Sequence, residues 1–440
     1  MSFPDRYVVS APGKAILFGE HAVVYGKTAI AGSLEDLRTY MLFEKRLDGY
    51  LELNFPDLDL QYALLWPESA LPHHLVEIDG KEQKDMVLNE KLLQALKPIV
   101  NEGGEKNNIP LNGLQQVASL AFLYLYTNIS SKQTSWCGMT VHIRSNLPVG
   151  AGLGSSASYS VCSAAGLLLA LGHISLPHTV ETSNNDLNSN VASAELINRW
   201  AFQVEKIIHG NPSGIDNSVA TFGNNDYLFL SKLCTSDKLF MGFYVFIKGG
   251  AVSYKRGSQH INLAGFHSFR FLLINTNKPR DAKTQIENVR IKRDKYPDIV
   301  NPILDAIDAI SMSLIKLLES GASQQKMLKE LEDLIDLNHY LINSLGVGHP
   351  SLEKVHEITT RFNLHSKLTG AGGGGCALVL IPNDFPDEDM KSIKEVFSQN
   401  GFDYYETRFG GHGLAAMDAT TIFTCSEEFL KIEKKNFRQM

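Results

Sequence analysis

A chain of 440 residues, 44% apolar and 20% charged, has the material for a large packed core, which excludes a disordered protein. The length accommodates up to three ordinary domains or one or two large ones. With 41 basic against 48 acidic residues the net charge is −7, so the basic excess of a dedicated nucleic-acid binder is missing. Five cysteines, widely spaced and without a Cys-x-x-Cys pair, argue against a zinc ribbon or a disulfide-exchange site. Reduced thiols in a cytoplasmic compartment are the expectation. Met1 to Arg6 lacks the apolar core of a secretory signal, and the most apolar stretches, Val117 to Tyr126 and Ala164 to Leu171, are too short to span a bilayer.

In chain order, Arg6 to Pro12 reads as a strand ending at Pro-Gly, and Ala15 to Phe18 continues apolar to Gly19. Tyr40 to Phe43 and Leu51 to Phe55 read as strands, Asn101 to Gly104 and Asn107 to Gly113 as loops, and Val117 to Tyr126 as a buried helix. Gly138 to Ile143 alternates as a strand. Ser155 to Leu171 is a helix of small residues stopped by Gly172. The polar stretch His173 to Asn190 is expected to be a surface connection, followed by an amphipathic helix, Ser193 to Ile208. After a strand at Phe271 to Asn275, Asp281 to Leu345 is almost wholly helical, with stops at Pro297, Gly321 and Gly346. Leu378 to Ile381 is a short strand. Strands first and helices grouped late predict an α+β architecture.

Three segments concentrate glycine: Pro12 to His21, Leu147 to Ala157, and Lys367 to Cys376. The second follows a strand and opens a helix. Glycines let backbone N–H groups approach phosphate oxygens. The helix N-terminus adds free donors and a partial positive charge whose dipole interaction is worth about 0.3–1 kcal/mol when exposed, so several backbone donors must act together. Ser155 and Ser156 offer hydroxyls to phosphate or Mg²⁺. The loop lacks the Lys-Ser/Thr ending of a P-loop. Gly370-x-Gly372-x-x-Gly375 fits the dinucleotide pattern, but no βαβ unit with a ribose-binding acid follows it.

Together the three segments resemble the signature motifs of the GHMP kinases, with Pro148-x-Gly150-Ala151-Gly152-Leu153-Gly154-Ser155-Ser156-Ala157 matching that superfamily's ATP loop. Within it, Ala11-Pro12-Gly13-Lys14, Phe18-Gly19-Glu20-His21-Ala22-Val23-Val24, Trp200 to Glu205, and His209 to Asn217 are similar to the eukaryotic mevalonate kinase family. The likeness runs from about Tyr7 to Ala416. It implies a two-domain fold, residues 1–230 and 231–440, with the active site in the cleft between them. The implied reaction is ATP-dependent phosphorylation of the primary hydroxyl of mevalonate, in isoprenoid and sterol precursor synthesis.

By the same resemblance, Asp216 is the catalytic base and Lys14 lies beside it and the substrate. Glu205 and Ser156 hold Mg²⁺. Gly150, Ala151, Gly152, Leu153, Gly154, Ser155 and Ser156 cradle the triphosphate, with Ser145 and Tyr159 on the ATP side. Glu20, His21 and Ala371 line the mevalonate pocket. A homodimer and feedback by farnesyl or geranyl diphosphate are further implications, with neither a nucleic-acid nor a membrane partner. Other members of the superfamily phosphorylate phosphomevalonate, galactose or homoserine, and a silent member acting as a nucleotide or isoprenoid sensor would lose one of the two carboxylates. Both carboxylates are present here.

The residue chemistry suits phosphoryl transfer, which needs positioning and charge neutralisation. Asp216, as a carboxylate, is a weak base. Lys14 beside it would favour a developing alkoxide, so orienting the hydroxyl matters as much as deprotonating it. Lys206 and His209 read as the solvated face of the Glu205 helix, and the pair His73-His74 as surface. Two positions depart from the family pattern. Ala282 stands where a threonine is usual, and Asp57 replaces an asparagine, adding negative charge where ATP contact is expected.

Overall fold

The computed structural model describes residues 5–60, 62–76, 87–105, 111–130, 138–148, 150–174, 184–210, 212–222, 244–246, 251–255, 261–263, 268–279, 281–420, 423 and 425–432. Its strands are β1 (Arg6–Phe18), β2 (Thr28–Lys45), β3 (Tyr50–Asn54), β4 (Leu64–Pro67), β5 (Met139–Ser145), β6 (Tyr244–Phe246), β7 (Ala251–Lys255), β8 (Ile261–Asn262), β9 (Phe269–Asn275), β10 (Ser366–Thr369), β11 (Cys376–Leu380), β12 (Asp403–Phe409) and β13 (Ala415–Asp418). The helices are α1 (Glu90–Glu105), α2 (Gly113–Ser130), α3 (Ser155–Ala170), α4 (Asn184–His209), α5 (Ile215–Phe222), α6 (Ala282–Lys295), α7 (Pro297–Glu319), α8 (Gln324–Ser344), α9 (Pro350–Thr360), α10 (Asp387–Gln399) and α11 (Ser426–Leu430).

These strands join one hydrogen-bonded sheet, ordered β10-β11-β9-β12-β2-β1-β13-β6 along its main path. Strand β2 is the trunk, pairing with β1, β5, β7 and β12. Strand β1 does not end at Pro-Gly as its sequence suggests. It runs on to Phe18, and a register shift between Pro12 and Gly13 absorbs the missing proline donor. That shift carries Lys14 onward opposite Ser33 while leaving the strand continuous.

The helices cover the sheet in two groups. At one end α1–α4 pack on β1–β5 around Phe43, Phe122, Val161, Leu168 and Val204. At the other, helices α7–α10 pack on β9–β11 around Leu273, Ile307, Leu331, Val355 and Phe397. Helix α3 lies close because its residues are small and one serine replaces sheet partners. The Ser158 hydroxyl donates to Ala11 O at 2.6 Å and accepts from Thr39 N at 3.1 Å.

Helix boundaries differ from the sequence expectation as well. Asn101 to Gly104 is helical, the last part of α1. Gly103 sits there for a close approach: a Cβ would stand 2.3 Å from the Trp66 indole, whose N–H donates to Ile99 O at 2.8 Å. Helix α4 begins at Asn184, inside the stretch expected to be a loop, while residues 175–183 lie outside the described residues. The late helical run divides as expected. Pro297 opens α7 and Gly321 follows its end. Ser323 caps α8 by accepting from Lys326 N at 3.4 Å.

Candidate active site

The glycine loop after β5 owes its shape to β1. Its apolar residues Ala151 and Leu153 turn into the core, while Gly150, Gly152 and Gly154 take left-handed φ of 72–75°. Lys14 N donates to Leu153 O at 2.7 Å, and a Cβ on Gly13 would stand 2.6 Å from that same carbonyl oxygen. Backbone contact of this kind leaves no room for a side chain. It sets Lys14 directly beside the start of α3, where Ser155 and Ser156 occupy the first turn with its unsatisfied N–H groups.

Lys14 is 8% exposed, and its ammonium meets Asp216 Oδ1 at 3.1 Å. Asp216 belongs to the first turn of α5, entered through Gly214 at φ 82°. Glu205, on α4 and 2% exposed, accepts from Ser160 Oγ at 2.9 Å and from Ser156 Oγ at 3.4 Å. Burial first, then the negative charge of Asp216, pushes the Glu205 carboxyl up to about 7, against the pull of the two serines and Lys14. A buried carboxyl forced upward beside a second carboxylate and two hydroxyls is a hard oxygen donor set, and it fits a divalent cation such as Mg²⁺. Among the described residues no group of three or more His, Cys, Asp or Glu side chains could hold a metal, so a cation held by Glu205 would need hydroxyl, water or phosphate oxygens as its other ligands.

Against this polar corner lies an apolar cavity of about 140 Å³, walled by Phe55, Leu58, Val117, Ile143, Tyr159 and Ile208. Ser145, Ser155 and Ser156 reach its rim. The Tyr159 hydroxyl donates to Ala118 O at 2.8 Å, so its ring, not its hydroxyl, is offered to the cavity. Asp57 also lines it, and its charge is answered: Oδ2 accepts from Arg144 Nε at 3.0 Å and from Ser145 N at 2.8 Å. The carboxylate thus braces the Ser145 backbone. Ala282 stands exposed at the first position of α6, and the nearby hydroxyl of Thr284 is held by Asp281, the N-cap of that helix.

The other end of the site is a turn and a hairpin. Beyond β1, His21 is 5% exposed and adopts φ 60°, ψ −45°. Its Nε2 meets Ala371 O at 2.8 Å, in the glycine loop between β10 and β11. Burial pushes the imidazole down from its ordinary range, against the hydrogen bond to Ala371. That third loop joins antiparallel strands, which disposes of the dinucleotide pattern. Glu20 does not offer its carboxylate to a pocket. It is 1% exposed, bound to Lys367 through Oε1 and to Asn338 at 3.4 Å through Oε2.

The structure therefore gathers Lys14, Asp216, Glu205 and Ser156 with the glycine loop, and joins His21 to Ala371. His209, read from the sequence as part of the solvated face, is exposed but also touches the site, and Ser160 and Lys367 join it without having been assigned a role. His209 Nε2 lies 2.9 Å from Ser156 Oγ, and its position four residues after Glu205 on one helix face was the available signal. Ser160 is four residues after Ser156 in the same way. Lys367 opens the third glycine segment, but nothing in that segment points to its partner.

Residues 117–224 match the GHMP kinases N terminal domain, and residues 315–401 match the GHMP kinases C terminal domain. The chain is 38% identical over 418 residues to the mevalonate kinase of Bos taurus, covering 94% of this chain and 96% of that protein. To the Homo sapiens mevalonate kinase it is 37% identical over 420 residues, covering 94% and 96%. The crystal structure of the L. major mevalonate kinase in complex with R-mevalonate shares the fold, with a TM-score of 0.60 at 19% identity over 93% of this chain and 97% of that one.

Proposed function

The chain belongs to the mevalonate kinase family of the GHMP kinases, and we propose that its cleft transfers the γ-phosphoryl group of ATP to the primary hydroxyl of mevalonate, releasing ADP and 5-phosphomevalonate. The observation that carries this reading is the Lys14–Asp216 pair, 3.1 Å apart at the N-terminus of a helix opened by a glycine loop. On this reading Asp216 and Lys14 act as base and cation on either side of the forming alkoxide, next to backbone donors suited to phosphate.

In this proposal the apolar cavity takes the adenine, and the loop Gly150 to Ser156 takes the triphosphate. Mg²⁺ bound by Ser156 and Glu205 would neutralise charge on the phosphates. Asp216 accepts a hydrogen bond from the attacking hydroxyl and later its proton. Lys14 stabilises the oxygen as negative charge develops there. His21 and Ala371 border the mevalonate. The division into lobes 1–230 and 231–440 belongs to the same proposal, supported by the separate helix groups that cover the two ends of the sheet.

A homodimer, competition by farnesyl or geranyl diphosphate at the nucleotide cavity, and a cytoplasmic location in the route to isoprenoids and sterols are proposed on the resemblance. No helix among the described residues is long and apolar enough to cross a membrane. An ADP-release assay with Mg-ATP against mevalonate, phosphomevalonate, galactose and homoserine tests the reading. Preference for mevalonate is expected, and preference for another acceptor would overturn it.

A further inference from the structure

We propose that Lys367 is a positioning residue for the acceptor end of the cleft: its sealed ion pair with Glu20 locks the Gly19–Glu20–His21 turn against β10 and so fixes where His21 and Ala371 stand. The proposal rests on the reading that mevalonate sits at this end.

Among the described ion pairs this is the one with both side chains at 0% exposure. Lys367 Nζ donates to Glu20 Oε1 and, at 2.6 Å, to Leu368 O, and it lies 6.0 Å from the Phe18 ring centroid. Asn338, reaching in from α8 and itself 0% exposed, donates to the other carboxylate oxygen at 3.4 Å. Lys367 is therefore out of reach of any substrate, and it acts through the turn. The same strand grips β1 a few residues earlier. Thr369 Oγ1 accepts from Ile16 N at 3.0 Å and donates to Ile16 O at 2.9 Å.

The turn needs such a grip. A histidine at φ 60° occupies a region that L-residues avoid, and a buried residue persists there only where its surroundings over-determine it. The pair is a costly way to hold it. Burial pushes the Glu20 carboxyl up and the Lys367 ammonium down, each opposed by its partner. An apolar pair of similar volume is often as stable or more so. What two charges add is a single geometry: the ammonium binds one carboxylate oxygen and the backbone of its own strand, while Asn338 holds the second oxygen. That geometry reaches the cleft through the His21 Nε2–Ala371 O contact at 2.8 Å, which ties the first glycine segment to the third.

The test compares wild type, Lys367→Met, the double variant Lys367→Met with Glu20→Gln, and Asn338→Ala. Thermal melts, steady-state kinetics with mevalonate and ATP, and hydrogen exchange of the ligand-free protein are measured on each. Lys367→Met alone should melt well below wild type, because an acid is left buried without its partner. The double variant, carrying no unpaired charge, should recover the melting temperature to within a few degrees. It should still keep a KM for mevalonate raised about tenfold, with KM for ATP changed by less than about twofold. Exchange at residues 19–22 should be about tenfold faster than in wild type, with exchange in α3 unchanged. Asn338→Ala, which leaves the charges alone, should move both readouts the same way by about threefold.

If the double variant has wild-type KM values and wild-type exchange at the turn, the pair is only structural and the proposal falls. If KM for ATP rises together with KM for mevalonate, it falls as well. Failure of the wild type to use mevalonate would sink the functional reading instead, and the exchange data would then decide the clamp by themselves.

Discussion

Two lysine–carboxylate pairs grow out of the same short stretch of chain, and they differ in one respect. Lys14 faces Asp216, whose side chain is 34% exposed, while Glu20 faces Lys367 in complete burial. The first pair is open on the side where phosphate chemistry would occur, so its charges are free to serve a substrate. The second is closed on every side and can only hold shape. Seven residues, Lys14 to Glu20, thus hold one member of an open pair and one member of a sealed pair, and accessibility rather than residue type separates them.

The sharpest way to break this comparison is to remove each carboxylate's partner or proton-accepting role in turn. Asp216→Asn should lower kcat by about a thousandfold, the scale of losing a positioned general base. Its stability should stay within about 1 kcal/mol of wild type, because a partly exposed pair contributes little to folding. Steady-state kinetics and a melt on the same preparation check both halves. Lys367→Met should reverse the pattern, losing about 3 kcal/mol of stability by denaturant titration, since it strands a buried acid.

A subtler effect concerns Glu205, whose carboxyl is pushed up to about 7 chiefly by burial. Only the ionised form can hold a metal ion. Affinity for Mg²⁺ or Mn²⁺ should therefore weaken as pH falls below 7, approaching about tenfold per unit, and hold steady above it. Mn²⁺ titration followed by electron paramagnetic resonance from pH 5.5 to 8.5 measures this, and Glu205→Gln should bind weakly at every pH. A profile flat through 7 in the wild type would contradict the assignment. The smallest effect is expected at Asp57. Asp57→Asn keeps one acceptor for Ser145 N but gives up the charge opposite Arg144, so KM for ATP should change by no more than about fivefold with kcat intact.

The open pair was legible in the sequence and the sealed pair was not, for a physical reason. A loop that binds phosphate must show its backbone, so its glycines and the helix they open leave a continuous trace from Leu147 to Ala157. The helices from α6 to α8 were legible because proline and glycine punctuate them. Glu20 and Lys367 each fall in a glycine segment, yet they lie 347 residues apart and nothing in either segment says that the two meet. The end of α1 was misread because Gly103 marks close packing against Trp66, which composition cannot distinguish from a turn. Proline within β1 misled in the same way, since the register shift that accommodates Pro12 is a property of the pairing with β2.

The central claim is that the open pair directs phosphate onto one hydroxyl. Following turnover of mevalonate and Mg-ATP by phosphorus NMR tests it most directly. The account predicts a single new phosphate monoester on the primary hydroxyl, formed in equal amount with ADP and suppressed in Asp216→Asn. ADP appearing without that monoester, or a monoester formed at an undiminished rate by Asp216→Asn, would contradict it.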